Sequence, residues 1–282
     1  MADAAARSPS DAPLLTIDRV SLRYGGEDAR ADAPFAVQDV SLTVDPGRFV
    51  SIVGPSGCGK STLLKMVSGL ERPSVGTIRV AGTPVTGVRR DVGFVFQTDA
   101  LLPWKTLRDN VGLALRYRGV SRDQASRRAQ DWLDRVGIGT LGDRYPHQVS
   151  GGQRKRASIC ATMVYEPELM LMDEPFSALD VQTRDLIETD VLRVWGQLGN
   201  QSIIFVTHDL EEAIAMSDRV IVLTRGPGRI KADYAIELPR GRDVREIRSD
   251  PRFIEIYQRI WSDLRVEVLA AQDRQAVAPR AR

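Results

Sequence analysis

The stretch GPSGCGKST, Gly54 to Thr62, decides the fold class of this 282-residue chain. It satisfies GxxxxGK followed by Ser or Thr, comes after the apolar run Phe49 to Val53, and opens the helical run STLLKMVSGL. Strand, glycine loop and helix in that order are the context a phosphate loop requires. Gly57 and Gly59 permit backbone conformations and a close approach that side chains would block, so successive N–H groups point at phosphate oxygens. The helix N-terminus adds positive potential. Lys60 is a flexible point charge able to reach β and γ phosphates, and the Ser61 hydroxyl can complete a Mg²⁺ shell. Gly54, Pro55, Ser56, Cys58 and Thr62 fill out the expected phosphate loop, with Cys58 at a variable position where oxidation would crowd the nucleotide.

Two further motifs lie downstream. LMLMDE, Leu169 to Glu174, puts two carboxylates after four apolar residues, as a buried strand does when it delivers acids to the ligand edge of a parallel sheet. Asp173 there would hold Mg²⁺ through water and Glu174 would polarise the attacking water. VSGGQ, Val149 to Gln153, precedes the helical text RKRASICATMV. Ser150 is a natural N-cap, and Gly151 and Gly152 leave N–H groups bare for a second anion site.

The surrounding text supplies the scaffold. Residues 1–13, rich in Ala, Asp, Pro and Ser, read as a disordered tail. LLTIDRVSLRY, FAVQDVSLTV, RFVSIVG and GTIRVAG read as strands, with GGEDARADAP as a hairpin loop between the first two. From about 98 to 162 the apolar spacing is helical, which predicts an inserted helical subdomain. Strand text returns as LMLMD, SIIFVTH and RVIVLT, with DLIETDVLRVWGQLG between the first two, the β, α, β order of a parallel sheet. After Arg240, DPRFIEIYQRIWSDLRVEV reads as an amphipathic helix and AAQDRQAVAPRAR as a frayed end.

Composition excludes several classes. With 39 basic and 37 acidic residues the net charge is +2, which offers little to nucleic acid or an acidic membrane. No apolar run approaches the roughly 20 residues of a membrane helix, and the N-terminus lacks a signal-peptide core, so the cytoplasm is the expected compartment. Two cysteines and two histidines exclude a disulfide framework and a histidine-rich metal centre. Of the histidines, His147 is assigned to loop packing.

In this order GPSGCGKST, VSGGQ, LMLMDEPFSALD and VTHDLEEA resemble the ATP-binding subunits of ABC transporters, from about Leu14 to Thr224. The resemblance implies an α/β P-loop NTPase fold of the ABC type, with an antiparallel β subdomain and an inserted α-helical one. It implies a domain over 14–240 and a C-terminal helical extension over 241–282. It further implies that Tyr24 stacks on adenine, that Gln97 contacts Mg²⁺ and water, that Asp180 belongs to the D-loop, and that His208 bonds the γ phosphate. Two subunits would pair head to tail, so that Ser150, Gly151, Gly152 and Gln153 of one face ATP on the other. The chain departs from the family at Ala161, commonly arginine, and in its longer loop from Gly25 to Pro34.

LLPW (Leu101–Trp104), DEPFSALDVQTR, GPGRI (Gly226–Ile230) and RSDPRFIEIYQRIW (Arg248–Trp261) resemble the nitrate, sulfonate and taurine importers within that family. That implies a peripheral subunit on the cytoplasmic face of the inner membrane. It would dock on integral permease subunits through LLPW and reach a substrate-binding protein through them. The alternative is a soluble ABC ATPase acting on a ribosome or DNA. Ribosome-acting members usually carry two nucleotide domains and DNA-repair members a long coiled-coil insert; the sequence shows neither.

Overall fold

The computed structural model describes residues 12–24 and 33–277. The expected tail, apart from Ala12 and Pro13, and the expected hairpin loop, apart from Ala33 and Pro34, lie outside those residues.

Along the chain, β1 (Leu15–Leu22) and β2 (Val37–Val44) lead to β3 (Phe49–Val53), α1 (Lys60–Ser68), β4 (Val75–Val80), the short β5 (Thr83–Pro84) and β6 (Val92–Val95). The helices α2 (Leu107–Tyr117), α3 (Arg122–Arg135) and α4 (Gly151–Met163) follow. Then β7 (Leu169–Asp173), α5 (Val181–Leu198), β8 (Ser202–Val206), α6 (Leu210–Met216), β9 (Arg219–Leu223) and β10 (Ile230–Ala235) alternate. The chain closes with α7 (Val244–Ile247) and α8 (Pro251–Val277).

The strands form two sheets. One is antiparallel, in the order β2-β1-β4-β5. Its β1–β2 register shifts at two points, where Arg19 and Asp39 take positive φ, and the hydroxyls of Ser41 and Ser21 accept from those residues' amides. The other runs β10-β9-β3-β8-β7-β6, parallel except for β10.

The parallel sheet is a wall between two cores, and side-chain alternation along each strand decides which core a residue joins. Phe49 and Val53, Met170 and Met172, Ile203 and Phe205, and Val220 and Val222 pack on the helical side. Val50 and Ile52, Leu169 and Leu171, Ile204 and Val206, and Ile221 and Leu223 pack on the other, with α1 and the antiparallel sheet. This two-sided burial explains why these strands read as continuous apolar runs.

Each major helix except α1 starts where the sequence places a short polar residue. Thr106, Ser121, Ser150, Asp180 and Asp209 cap α2 to α6 by accepting from backbone amides of the first turn. Leu107, Val111 and Leu115 at helical spacing pack with Ala125, Ala129, Trp132 and Leu133 between α2 and α3. One expectation is corrected at the C-terminus: the text read as frayed continues α8 through Val277. Ala, Gln and Arg favour the helix there, and residues 278–282 of the expected frayed end lie outside the described residues.

The sequence text also missed β10 and α7. β10 mixes polar and apolar residues because one side faces solvent, and it joins β9 antiparallel. Beyond it, Phe253, Ile260 and Leu264 of α8 bury in the helical-side core, and Lys231 Nζ reaches Glu267 Oε1 at 2.9 Å.

A fully buried acid lies beneath this C-terminal segment. Glu188 on α5 has no exposed surface, and burial, reinforced by the Glu212 charge, pushes its carboxyl up to about 9 despite the opposing pull of Arg248. Between the ordinary carboxylate range and pH 9 the folded chain keeps a proton that the unfolded chain has lost, so this group's contribution to stability falls as pH rises across that window. Raising the pH from 6 to 8.5 should therefore lower the melting temperature of the wild-type chain by roughly 5 °C more than that of Glu188→Gln. Calorimetry of both proteins checks this, and equal pH slopes would refute it.

Candidate nucleotide site

Strand β3 lies at the middle of the parallel sheet and ends at Val53, where the glycine loop begins. Gly59 adopts φ 95° as the residue before α1, and a Cβ on it would stand 2.7 Å from Ala36 O, so the loop admits only glycine there. The GPGRI stretch packs against the same loop: a Cβ on Gly228 would fall 2.0 Å from Cys58 O. Cys58 itself is buried and its side chain joins the core between the sheets. Burial raises its thiol pKa, so the residue serves the loop through its backbone.

The side chains of the loop converge. Lys60 is 5% exposed, and its ammonium donates to Gly54 O at 2.8 Å and Pro55 O at 3.2 Å. Ser61 Oγ donates to Asp173 Oδ1 at 2.8 Å, which brings α1 to the end of β7. Burial raises the Asp173 pKa, the Ser61 bond opposes that rise, and the Glu174 charge adds to it. Tyr24 OH and Thr62 Oγ1 share a hydrogen bond of 2.7 Å. A cavity of about 330 Å³ opens here, lined by Tyr24, Ser56, Gly57, Lys60, Thr62 and Glu174 among others.

Glu174 follows β7 with φ 42°, a left-handed conformation costly for a residue with a Cβ. Its amide donates to Val206 O at 2.9 Å, which ties the turn to β8. The Glu174 Oε2 stands 3.0 Å from His208 Nδ1, so the carboxylate and the imidazole form a pair across two strand ends. Gln97, after β6, donates to Ser177 Oγ at 3.2 Å, and Ser177 Oγ donates to Glu174 O at 3.0 Å. Three neighbouring strands thus deliver Gln97, Glu174 and His208 to one edge.

Sequence reading missed two residues of this assembly. Ser177, inside DEPFSALD, is the bridge between Gln97 and Glu174. Lys155 on α4 is 2% exposed; it donates to Gln97 O at 2.9 Å and pairs with Asp99 Oδ1 at 3.0 Å. The available signal was a lysine inside the buried stripe of the helix after VSGGQ, where a charge demands a partner.

Other expected residues stand apart from the cavity. Ser150 and Gln153 bond each other as a capping box at the start of α4, with Gly151 exposed and Gly152 buried beside them. Asp180 is exposed and caps α5 through the Thr183 amide. His147 stacks on Tyr145 in a short turn. Ala161 packs partly buried against the helical-side core.

Backbone amides, a buried ammonium and a helix start make this loop an acceptor site for phosphate groups. Ser61 and Asp173 offer hard oxygen donors that fit Mg²⁺. Among the described residues no group of three or more His, Cys, Asp and Glu is placed to hold a metal, so the ion would also need phosphate oxygens.

A family model described as ABC transporter matches residues 37–177. Taurine import ATP-binding protein TauB of Chromobacterium violaceum is 40% identical over 254 residues, 89% of this chain and 95% of that protein. The chain belongs to the ABC transporter family. Other family members are as near: the uncharacterized ABC transporter ATP-binding protein MJ0412 of Methanocaldococcus jannaschii is 41% identical over 83% of this chain and 86% of its own length. TauB of Escherichia coli K12 is 37% identical over 88% and 96%. Among solved structures, the dimeric ATP-binding cassette MJ0796 bound to ADP and Pi superposes with a TM-score of 0.69 at 28% identity, over 80% of this chain and all of that one. The two-sheet architecture is thus that of an ABC cassette, and the chain is an ATP-hydrolysing ABC ATPase.

Proposed function

We propose that this ABC ATPase powers the import of a small anion of the nitrate, sulfonate and taurine class. The observation that carries the reading is the identity of 37–40% to taurine import ATP-binding proteins, which spans nearly their whole length. Nothing favours the ribosome or DNA alternative, and a net charge of +2 offers such a partner little.

In the proposed mechanism the loop from Gly54 to Thr62 cradles the phosphates, with Lys60 on the β and γ oxygens and Tyr24 against adenine. Ser61, Gln97 and Asp173 would hold Mg²⁺, which would neutralise developing phosphate charge. Glu174 accepts the proton of a water as that water attacks the γ phosphorus and the bond to the ADP oxygen breaks. His208 orients Glu174 and meets the transferring phosphoryl group, consistent with its 3.0 Å contact. Ser150, Gly151, Gly152, Gln153 and Asp180 complete the site of a second copy; their position at two helix starts outside the Lys60 cavity supports that pairing, as does the dimeric MJ0796 cassette.

We assign residues 14–240 to the nucleotide domain, about 98–162 to its helical arm, and 241–282 to an extension. Trp104 in LLPW is 70% exposed, while Asn110 holds that loop through Leu102 N, Leu102 O and Lys105 O. An exposed indole on a braced loop suits docking to a permease helix. Among the described residues no helix is long and apolar enough to cross a membrane. The ATPase would therefore sit peripherally on the cytoplasmic face, with a substrate-binding protein engaged through the permease.

Deleting the gene from its host and growing the strain on taurine, another sulfonate or nitrate as single sulfur or nitrogen source tests the reading. Growth should fail on one of them and return with the gene. Undiminished growth on all three would overturn it.

A further inference from the structure

RSDPRFIEIYQRIW opens with Arg248, the C-cap of α7, whose side chain leaves the extension and enters the nucleotide domain. Its guanidinium donates to Asp185 Oδ1 at 2.8 Å and to Glu188 Oε2 at 3.4 Å on α5, and lies 3.7 Å from Glu211 Oε2 on α6. A second guanidinium, Arg184, continues the chain of contacts: it meets Glu212 Oε1 and Asp209 Oδ2, each at 3.3 Å, and donates to Leu179 O at 3.2 Å. Thr207 Oγ1 donates to Glu212 Oε2 at 2.6 Å and accepts from the Asp209 amide at 3.0 Å. His208 lies between Thr207 and Asp209, so both of its chain neighbours are held by this network.

Five carboxyls, Asp185, Glu188, Asp209, Glu211 and Glu212, thus share two guanidiniums. Glu188 and Glu212 are buried, and Glu188 Oε1 has no hydrogen-bond partner. Glu188, which keeps its proton, has Arg248 as the partner of its Oε2, so this guanidinium satisfies a buried acid while it pairs with Asp185. Arg184 joins α5, on which it lies, to Asp209 and Glu212 at the start of α6, whereas Arg248 comes from outside α5 and adds a second link between the two helices through Asp185, Glu188 and Glu211. The planar fork of arginine can span acids on two helices, which the point charge of lysine cannot.

We infer that Arg248 is a positioning residue for ATP hydrolysis: by clamping α5 to α6 it fixes the His208 backbone relative to Glu174, so that the C-terminal extension sets the turnover of the nucleotide site. The inference rests on the proposed role of His208. It separates the extension's effect on turnover from ATP binding, since Lys60, Thr62 and Tyr24 make none of these contacts.

A double-mutant cycle on the full chain tests it, with phosphate release followed over a range of ATP concentrations and circular dichroism used to check folding. Arg248→Met should lower kcat about tenfold with KM for ATP within about twofold, because a loosened orientation costs the transition state and not the bound substrate. In a His208→Ala background, itself lowered about 100-fold, Arg248→Met should cost less than a further twofold, because both changes act through one group. If Arg248→Met does not fold, Arg248→Lys carries the same cycle, with the same non-additivity expected. A tenfold loss from the arginine change in both backgrounds, or an unchanged kcat in a folded Arg248→Met, would overturn the inference while leaving the His208 role intact. An unchanged kcat in His208→Ala would instead overturn that role, and the inference with it.

Discussion

Glu174→Gln should lower steady-state ATP hydrolysis about 10³-fold while the affinity for ATP stays within about threefold. The amide keeps the shape of the side chain and can still bond His208, and the turn is set by the main chain, where the Glu174 amide meets Val206 O and Ser177 Oγ meets Glu174 O. What is lost is the capacity to take a proton from water, a step that a positioned base typically accelerates by about 10²–10⁴. The contrast between turnover and binding is the informative part, because a misfolded loop would lose both. A phosphate-release assay beside a titration with a fluorescent ATP analogue reads the two quantities. Hydrolysis at the wild-type rate would remove Glu174 from its assigned role.

Lys60→Met should have the opposite signature, a loss of ATP affinity of about 100-fold. The ammonium is almost wholly buried, so its charge acts with little competition from solvent, and the methionine stem preserves most of the packing of α1 against β7. The change also removes the Lys60 donor from Gly54 O and leaves Pro55 O only the Cys58 amide, which loosens the loop in the free protein. Lys60→Arg should not rescue, because a planar fork cannot occupy a site shaped around a single point charge and crowded by the loop's own carbonyls. The same titration checks both variants, and affinity equal to that of the unmodified chain in either would refute the argument.

The parts of this molecule legible in its sequence are those where one residue type answers one physical demand. The glycine loop, the carboxylates after β7 and the short polar caps are of that kind, and so are the strands buried on both sides. What could not be read is what depends on contacts between distant segments. The roles of Ser177 and Lys155 arise only when β6, β7 and α4 meet, since neither serine in a turn nor lysine in a helix is unusual by itself. β10 was missed because an edge strand with one wet side carries no apolar run. The extent of α8 is hidden because Ala, Gln, Asp and Arg near a terminus suit a frayed tail and a helix alike. The Arg248 network is the extreme case: its members span residues 184 to 248, and their meaning lies in two guanidiniums shared among five carboxyls, which spacing does not reveal.

The sheet that separates the two cores carries one further implication, for how such a protein diversifies. Since alternate residues of a strand belong to different compartments, a substitution on the helical side is met by neighbours on that side and hardly felt across the wall. Residues on the helical side can therefore change while the compartment under the glycine loop keeps its packing. The hydrogen-bonded strands act as a firewall that lets the packing of one compartment change without rebuilding the other.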